Sequence, residues 1–319
     1  MLIPLRDAHF AEINHNDFPA LYPPIAQGFF VLLRLLSSSA LSFKLFAIVC
    51  DSLSAWLLRQ ESNRAAAILF LNPLLILEGS GHGHFESLVV LSMVLLLRAV
   101  KTDRGKGCGY FLAMGVWIKP QFILLAPLLF PSEPSHTTTI FYRLKSWIRP
   151  FIPATIALGI YTLLAGPSLF TFGSKFQYNA LFPYLIQAAS SSFLSSSQQR
   201  IVAGVLMILC FLFAIHYFRQ KEPSFQALAF LTLGLAFSPT VHPWYGLWIL
   251  PTAALRSAKP WILFTGTLAM HYGVYYQAET MGIWQEIPGL RWMVYLPPLV
   301  LALALWIFGI WKKNRPSFG

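Results

Sequence analysis

The chain has 319 residues, of which 56% are hydrophobic and only 11% are charged, and its mean hydropathy is +0.60. Soluble domains carry about 25% charged residues, so this composition excludes an ordinary soluble fold. The formal net charge of +11 could suggest a nucleic-acid partner, but the basic residues are spread between apolar runs instead of forming one patch. We therefore expect an integral membrane protein that binds membrane lipids and no nucleic acid.

Six basic clusters separate the apolar runs, and each fits a cytoplasmic loop under the positive-inside rule. The clusters are Arg59/Arg64, Arg98/Lys101/Arg104/Lys106, Arg143/Lys145/Arg149, Arg219/Lys221, Arg256/Lys259 and Lys312/Lys313/Arg315. The segments between these loops contain few Lys or Arg residues. We expect those segments to face outward, to the periplasm or a lumen.

Apolar runs recur along the whole chain at lengths that suit membrane helices. They lie near 22–37, 41–58, 65–77, 85–99, 107–130, 150–166, 200–218, 224–250, 258–274 and 291–311. A lipid-exposed backbone must satisfy its own hydrogen bonds, which favours helices. The sequence predicts an all-α, polytopic helical bundle with about 8–10 membrane segments. We expect one domain over 1–319, with residues 1–21 as an outward loop that is the remnant of a longer first loop.

The first three runs, 22–37, 41–58 and 65–77, cannot all cross the membrane if Arg59 and Arg64 are inside and His82 is outside. The run 65–77 is the shortest and is the best candidate for a half-helix. That choice would put Arg59 and Arg64 on the outward face, against the positive-inside rule. The sequence therefore does not decide which of the three runs fails to cross the membrane.

Two long runs are interrupted by proline, at Lys119-Pro120 and at Pro239 with Pro243. The basic flanks of each run call for the same cytoplasmic face, so we predict helix pairs that enter the membrane and return. Lys119 has two interpretations. It snorkels to the cytoplasmic surface, or it meets a lipid phosphate.

The densest group of polar residues is NPLLILEGSGHGHFESL, at 72–88. Polar groups near the bilayer are costly, so His82, His84 and Glu86 are candidate site residues. Glu86 also falls in the first turn of a predicted helix, where a carboxylate is favoured by the helix dipole, and capping is an equally good explanation. The HxHxE spacing is a weak signal for a metal ion.

A second group, FSPTVHPWYGLWILP at 237–251, brings His242, Trp244 and Tyr245 to a proline-bounded turn. Trp and Tyr also form interfacial belts in membrane proteins, but a histidine between two prolines favours a binding site, where aromatic faces could stack on a sugar or prenyl group. Asp51 lies midway along an apolar run. We expect its partner to come from another helix, in a structural or gating contact, with a direct role in the site as the alternative.

Four motifs, in this order, resemble those of the GT-C superfamily, whose members transfer sugars from polyprenyl phosphates. INHNDFPALYPPIAQ at 13–27 and FKLFAIVCD at 43–51 are similar to segments of bacterial polyprenol-phosphate mannosyltransferase-like proteins. NPLLILEGSGHGHFESL resembles an NP…GHND-type motif, also echoed in GPI mannosyltransferase I, with Glu86 in place of the aspartate. HPWYGLWILP at 242–251 closes the series.

The resemblance implies inverting transfer of a hexose, expected to be mannose, from a polyprenyl-phosphate-sugar donor to a lipid or glycan acceptor. A carboxylate acts as general base at the outer face of the membrane, expected to be the periplasmic face of a bacterial inner membrane. In the family this acid lies early in the first outward loop, after an N-terminal helix. Here that helix is missing, so either the chain is an N-terminally truncated form or Asp7, Glu12 or Asp17 takes the role.

The site residues that follow fall into two groups. The candidate catalytic residues are Asp17, Glu86 and Glu12. The candidate donor- and substrate-binding residues are His15, Tyr22, His82, His84, Lys119, Tyr178, Asn179, His242, Trp244 and Tyr245. No metal ligand is assigned, and a divalent cation is the one cofactor considered. The alternative function is a secondary transporter or a lipid-carrier flippase, because broken helices with polar residues at membrane depth are also typical of transporters.

Overall fold

A computed structural model describes residues 22–37, 39–102, 107–130, 140–166 and 177–313. The predicted site residues Glu12, His15 and Asp17 lie outside the described residues. The described part is all-α and has no β-strand, only one isolated parallel bridge between Tyr178 and Thr240. This confirms the all-α class, and the number of membrane segments stays a prediction.

Helices follow one another with short connections. They are α1 (Pro24–Leu36), α2 (Leu41–Arg59), α3 (Asn63–Phe70), α4 (Pro73–Leu75) with a π-helix (Ile76–Gly81), α5 (Glu86–Thr102), α6 (Cys108–Ile118) with a 3₁₀ helix (Pro120–Leu129), α7 (Ile140–Ala165), α8 (Phe182–Ser190), α9 (Ser196–Phe218), α10 (Pro223–Phe237), a 3₁₀ helix (Pro243–Trp248), α11 (Leu250–Arg256), α12 (Lys259–Leu268), a 3₁₀ turn (Ala269–His271), α13 (Tyr272–Met281) and α14 (Leu290–Lys313).

Three helices in the described part are long and apolar enough to cross a membrane, as expected for a membrane protein. They span Leu41–Arg59, Ser196–Phe218 and Leu290–Gly309. Only 6% of the apolar window in Ser196–Phe218 is buried against the rest of the chain. Side chains such as Leu212 and Phe213 are more than half exposed, and this surface requires an apolar environment such as lipid.

Helix α1 packs against the start of α2 and against the residue that precedes α5. Tyr22, just before α1, lies under the Lys119 ammonium, 4.7 Å from Nζ to the ring centroid. Phe43, just after α1, contacts Phe30, and their ring centroids are 6.1 Å apart. Phe30 also packs edge-on against Phe85, which precedes α5, at 5.0 Å.

The chain therefore runs the length of the bundle in α2 and returns through α3, α4 and the π-helix. This differs from the interpretation of 65–77 as the half-helix, because the break at Asn72-Pro73 extends this run to Gly81 instead of ending it. Asn72 makes the break possible. Its side chain accepts hydrogen bonds from the backbone N–H groups of Leu74 and Leu75, and it donates to Thr265 Oγ1 at 2.9 Å.

The two proline-broken runs fold back on themselves. Phe122, after the Lys119-Pro120 break, packs so closely on α6 that a Cβ at Gly115 would lie 2.1 Å from its ring. After the second break, α11 and α12 return alongside α10. Trp261 on α12 donates a hydrogen bond to Thr232 on α10 at 2.6 Å. Both breaks thus become turns that carry polar residues.

Helix α5 separates a basic end of the bundle from a polar, aromatic end. At its C-terminal part, Arg98 donates to the carbonyl of Leu57 at 3.0 Å, and Lys101 pairs with Glu61. Glu86 begins the same helix, which is about 25 Å long for its 17 residues at 1.5 Å per residue. The basic cluster and the candidate site thus lie at opposite ends of one helix. Their positions relative to a membrane stay a prediction.

Asp51 is buried inside the bundle, next to the π-helix. A Cβ at Gly79 would lie 2.4 Å from Asp51 Oδ2 and 2.8 Å from Ser87 Oγ. The carboxyl group therefore packs against two other elements, as expected for a structural contact between helices. A glycine is required at position 79 because Asp51 and Ser87 occupy the space of any side chain.

Candidate functional site

A buried ion pair joins the start of α5 to the break after α6. Lys119 Nζ lies 2.8 Å from Glu86 Oε1, and the Glu86 side chain is fully buried while 14% of the Lys119 side chain is exposed. The break at Pro120 turns Lys119 inward at this end of the bundle. The snorkelling interpretation of Lys119 is therefore wrong, because its ammonium group is buried against a carboxylate.

Two tyrosines complete the surroundings of the Lys119 ammonium. Its Nζ lies 4.7 Å from the ring centroid of Tyr22 and 5.8 Å from that of Tyr245. Tyr245 stacks in turn on Trp248, with centroids 4.1 Å apart. Cation–π contacts of this kind hold a cation where water is scarce.

The HGH turn brings two imidazoles onto one carboxylate that the sequence analysis did not select, Glu78. His82 Nδ1 lies 3.3 Å from Glu78 Oε2, and His84 Nε2 lies 3.4 Å from the same oxygen. Gly83 sits between them at φ 72°, in the left-handed region that glycine enters without strain. The turn and its conformation thus aim both rings at Glu78.

Backbone hydrogen bonds fix this turn at the end of a π-helix. The His82 N–H donates to the Leu77 carbonyl at 2.8 Å, and the His84 N–H donates to the Glu78 carbonyl at 2.9 Å. Single π-turns are rare and occur mainly at functional sites. Here Glu78 lies in the first turn of the π-helix, and His82 is the residue that caps its C-terminal end.

His84 connects Glu78 to the ion pair. Its Nδ1 lies 3.4 Å from Glu86 Oε2, on the side opposite to the contact between its Nε2 and Glu78. Burial disfavours the charged imidazole, but the carboxylates of Glu86 and Glu78 outweigh this cost and raise the pKa of His84. The site therefore alternates charge, from Glu78 through His84 and Glu86 to Lys119.

A stack of rings from the second break lies beside His84. The Trp244 ring is 4.6 Å from His84 and 4.5 Å from His242, on which it stacks at an interplanar angle of 4°. Tyr178 continues the stack 5.0 Å beyond His242. His242 and Trp244 are both partly exposed. The two motifs at 72–88 and 237–251 thus form one continuous surface.

His242 is held as a neutral ring. It shares a hydrogen bond of 3.0 Å between its Nδ1 and the Tyr275 hydroxyl. Burial, followed by the charge of Lys119, lowers the pKa of His242 to about 3. A neutral imidazole can accept or donate one hydrogen bond without adding charge to the site.

Tyr178 is held at the stack by its own backbone. Its N–H donates to the Pro239 carbonyl and its carbonyl accepts from the Val241 N–H, both at 2.9 Å. Its hydroxyl shares a hydrogen bond of 3.2 Å with His271 Nδ1. Burial raises the pKa of the Tyr178 phenol. This residue therefore belongs to the scaffold of the surface as well as to its face.

Asn179 holds the neighbouring segment and does not face the site, which differs from its predicted role in binding. It is fully buried at a φ of 50°, and its Nδ2 donates to the Val241 carbonyl at 3.2 Å. Its backbone N–H donates to the Glu286 carboxylate, and its carbonyl accepts from the Tyr295 hydroxyl at 2.8 Å. Asn179 therefore positions Tyr178.

The predicted residues in the described part converge at one end of the bundle. Those in contact with one another there are Tyr22, His82, His84, Glu86, Lys119, Tyr178, His242, Trp244 and Tyr245. Sequence reasoning missed Glu78, His271, Tyr275 and Trp284. A signal existed only for Glu78, a lone carboxylate in an apolar run four residues before His82.

Comparison of the chain with protein-family models, curated proteins and solved structures finds no match. The function is therefore argued from the residues of the chain itself. The site combines the Lys119 ammonium group, the imidazoles of His82 and His84 and the carboxylates of Glu78 and Glu86 with a wall of aromatic rings. Such a surface can bind an anionic group next to a ring-shaped, partly apolar one.

Proposed function

We propose that this chain is an integral-membrane glycosyltransferase of the GT-C type that uses a polyprenyl-phosphate-linked hexose as donor. One observation carries the proposal: the contact of His84 with Trp244, at 4.6 Å, joins the cationic group around Lys119 to the aromatic stack. The proposed donor matches both parts of this surface. Its sugar ring has apolar faces that suit the aromatic stack, and its phosphate is an anion that suits the cationic group around Lys119.

The phosphate of the donor is assigned to Lys119, which lies next to His84 in the chain of charged groups. Both side chains are partly exposed, at 14% and 26%, and both carry or attract positive charge. Glu86, predicted as a catalytic acid, has no exposed surface and already contacts both of these groups. We therefore assign Glu86 to positioning Lys119 and His84, with the base supplied by Asp17 or Glu12, as the resemblance implies.

The acceptor hydroxyl attacks the anomeric carbon, the bond from that carbon to the phosphate oxygen breaks, and the lipid phosphate leaves with the electron pair. The hydroxyl proton goes to the carboxylate base. Lys119 stabilises the charge that develops on the departing phosphate.

An apolar groove suits the prenyl tail of the donor. It has a volume of about 110 Å³ and includes Trp261, Phe264 and Tyr295 in its lining. The Tyr295 hydroxyl reaches the Asn179 carbonyl, next to Tyr178 in the stack. A lipid bound in this groove can therefore keep its phosphate end close to the aromatic wall.

The proposal includes an architecture and an orientation. The short apolar helices and the three long ones together form a GT-C-like bundle of about 8–10 membrane segments. The site faces the periplasm or the outside of a bacterial inner membrane. Support for this orientation comes from α5, which carries the basic cluster at the end opposite to Glu86.

The test uses the full chain reconstituted in liposomes with a radiolabelled polyprenyl-phosphate mannose and a lipid extract as acceptor. We expect label to appear in a lipid or glycan product, and no transfer from a nucleotide sugar. Glu86→Gln should lower the transfer rate at least about 100-fold, as expected when a catalytic array loses its positioning group. Glu222→Gln, in an exposed ion pair with Arg256, should leave transfer unchanged.

A transporter or flippase is separated from a transferase in the same liposomes. Movement of the intact donor across the bilayer without a glycosylated product would replace the proposed function by lipid transport. Failure of the protein to bind the donor at all would exclude both functions.

A further inference from the structure

Three potential metal ligands meet at the end of the π-helix, and the proposed glycosyl transfer does not use them as a set. One ligand atom each from Glu78, His82 and His84 lie within 4.8 Å of one another. Two imidazole nitrogens and a carboxylate oxygen are the donors that zinc takes in sites with an open coordination position.

The distances between the ligand atoms of this group match those around a tetrahedral zinc ion. Ligands about 2.05 Å from an ion in tetrahedral geometry are about 3.3 Å from one another. His82 Nδ1 and His84 Nε2 lie 3.3 Å and 3.4 Å from Glu78 Oε2. Two of the three distances between ligand atoms are thus already at the length required. A movement of the half-exposed His82 ring would bring the third distance, between the two histidines, to the same length.

Glu78 has the surroundings of a ligand more than those of a simple ion-pair partner. Its side chain is fully buried, and its Oε1 makes no hydrogen bond to the part of the chain that the structure describes. A buried carboxylate oxygen without a partner is costly. A bound cation would satisfy both oxygens of this side chain.

The second nitrogen of His84 is also arranged as in a metal site. Imidazoles that bind a metal through one nitrogen usually donate from the other to a carboxylate, which fixes the ring. His84 has Nε2 towards Glu78 and Nδ1 towards Glu86 Oε2, at 3.4 Å each. Glu86 is itself fixed by Lys119 at 2.8 Å, so the orientation of His84 is determined by two further residues.

We propose that Glu78, His82 and His84 form a binding site for a divalent ion of the Zn²⁺ class, with Glu86 as the outer residue that orients His84. Mg²⁺ is excluded as the natural occupant because it prefers oxygen ligands. The fourth position faces the side where half of the His82 side chain is exposed. It is open to water or to an anionic group. Binding of the ion does not depend on the proposed transfer.

The test is the metal content of the full chain, purified in detergent with an affinity tag that contains no histidine. After treatment with a chelator and titration with ZnCl₂, mass spectrometry of the metal should give about one Zn²⁺ per chain. Co²⁺ in place of Zn²⁺ should give the visible absorption of tetrahedral coordination, which a loosely adsorbed ion does not show.

Four variants distinguish a specific Zn²⁺ site from nonspecific binding of Zn²⁺ to the chain. His82→Asn and Glu78→Gln should weaken Zn²⁺ binding more than 100-fold, and Glu86→Gln should weaken it about 10- to 100-fold, as outer residues of metal sites do. His82 is half exposed, so its substitution does not threaten the fold. His216→Asn, on the exposed face of α9, should bind as the wild type does.

Two results would overturn the site. One is a wild-type chain without stoichiometric Zn²⁺, and the other is His82→Asn binding Zn²⁺ as tightly as the wild type. Because these measurements need neither donor nor acceptor, such a failure would leave the glycosyltransferase proposal standing. Equally, a chain that binds Zn²⁺ but transfers no sugar would retain the metal site.

Discussion

Lys119 Nζ lies 2.8 Å from Glu86 Oε1, with the carboxylate fully buried, and this pair links the α6 break to the start of α5. A buried charge without its partner is far more costly than an exposed one. The pair therefore ties the integrity of the site to the stability of the bundle, and its two residues can be tested together.

A double-mutant cycle on this pair should show strong coupling. Glu86→Gln and Lys119→Met should each lower the free energy of unfolding by about 3–5 kcal/mol, because each leaves a buried charge unpaired. The double variant should lose less than the sum of the two. Unfolding in mixed detergent micelles measures these values.

The exposed pair of Arg256 and Glu222 is the control, since 70% of the Glu222 side chain is accessible. Its coupling should be about 1 kcal/mol or less. Equal coupling energies for the two pairs would contradict the buried character of the Lys119–Glu86 contact.

Gly79→Ala should destabilise the bundle by about 1–3 kcal/mol, the usual cost of overpacking. The added methyl group would stand 2.4 Å from Asp51 Oδ2 and 2.8 Å from Ser87 Oγ, so one of the elements must move. Gly204→Ala is the matched control. Gly204 lies in α9 with nothing within 4 Å of the added atom, and the change should be neutral or stabilising by up to about 1 kcal/mol. Thermal unfolding in detergent compares the two, and equal melting temperatures would argue against this contact.

His242 should make stability depend on pH in a defined window. Its pKa is about 3 in the folded chain and about 6.5 when unfolded, so the unfolded state binds more protons between these values. Stability should rise with pH through the window and fall by about 2 kcal/mol between about pH 7 and pH 5.

His242→Gln should remove this share of the pH dependence, whereas His216→Gln should keep it. Melting temperatures of the three chains across the window give the comparison. The assignment fails if the His242→Gln profile has the same slope as the wild type.

Trp244→Ala should raise the apparent dissociation constant for the donor about tenfold, the effect of losing roughly 1–1.5 kcal/mol of ring stacking. Trp244 lies between His84 and His242 in the aromatic wall, and its partly exposed side chain is available to contact the donor sugar. Trp56→Ala, which removes a ring that is 57% exposed on α2, should leave donor binding unchanged. Binding of a fluorescent polyprenyl-phosphate sugar measures both, and equal constants would remove Trp244 from the donor site.

The sequence predicted the all-α class and the proline breaks because both follow from local rules. Long apolar runs require helices in lipid, and proline removes a hydrogen-bond donor wherever it stands. The meeting of the 72–88 and 237–251 segments depends on tertiary packing, and the structure places His84 against Trp244.

The parts that failed depend on packing. Lys119 was open to two interpretations because its surroundings, Glu86 and Tyr22, come from other helices. Glu78 was missed because its one signal, a lone carboxylate four residues before His82, does not show that two imidazoles meet it. Only the π-turn, which no pattern of apolar residues predicts, brings it onto His82 and His84.

The anchoring of Asn179 by Glu286 and Tyr295 also has a consequence for the order in which the site is completed during synthesis. A chain that has emerged only through the 3₁₀ helix after α6 already contains both Glu86 and Lys119. The loop of Tyr178 acquires its last two anchors only after the residues before and within α14 have left the ribosome. The charged half of the site can therefore assemble early, while the aromatic half must wait for nearly the whole chain.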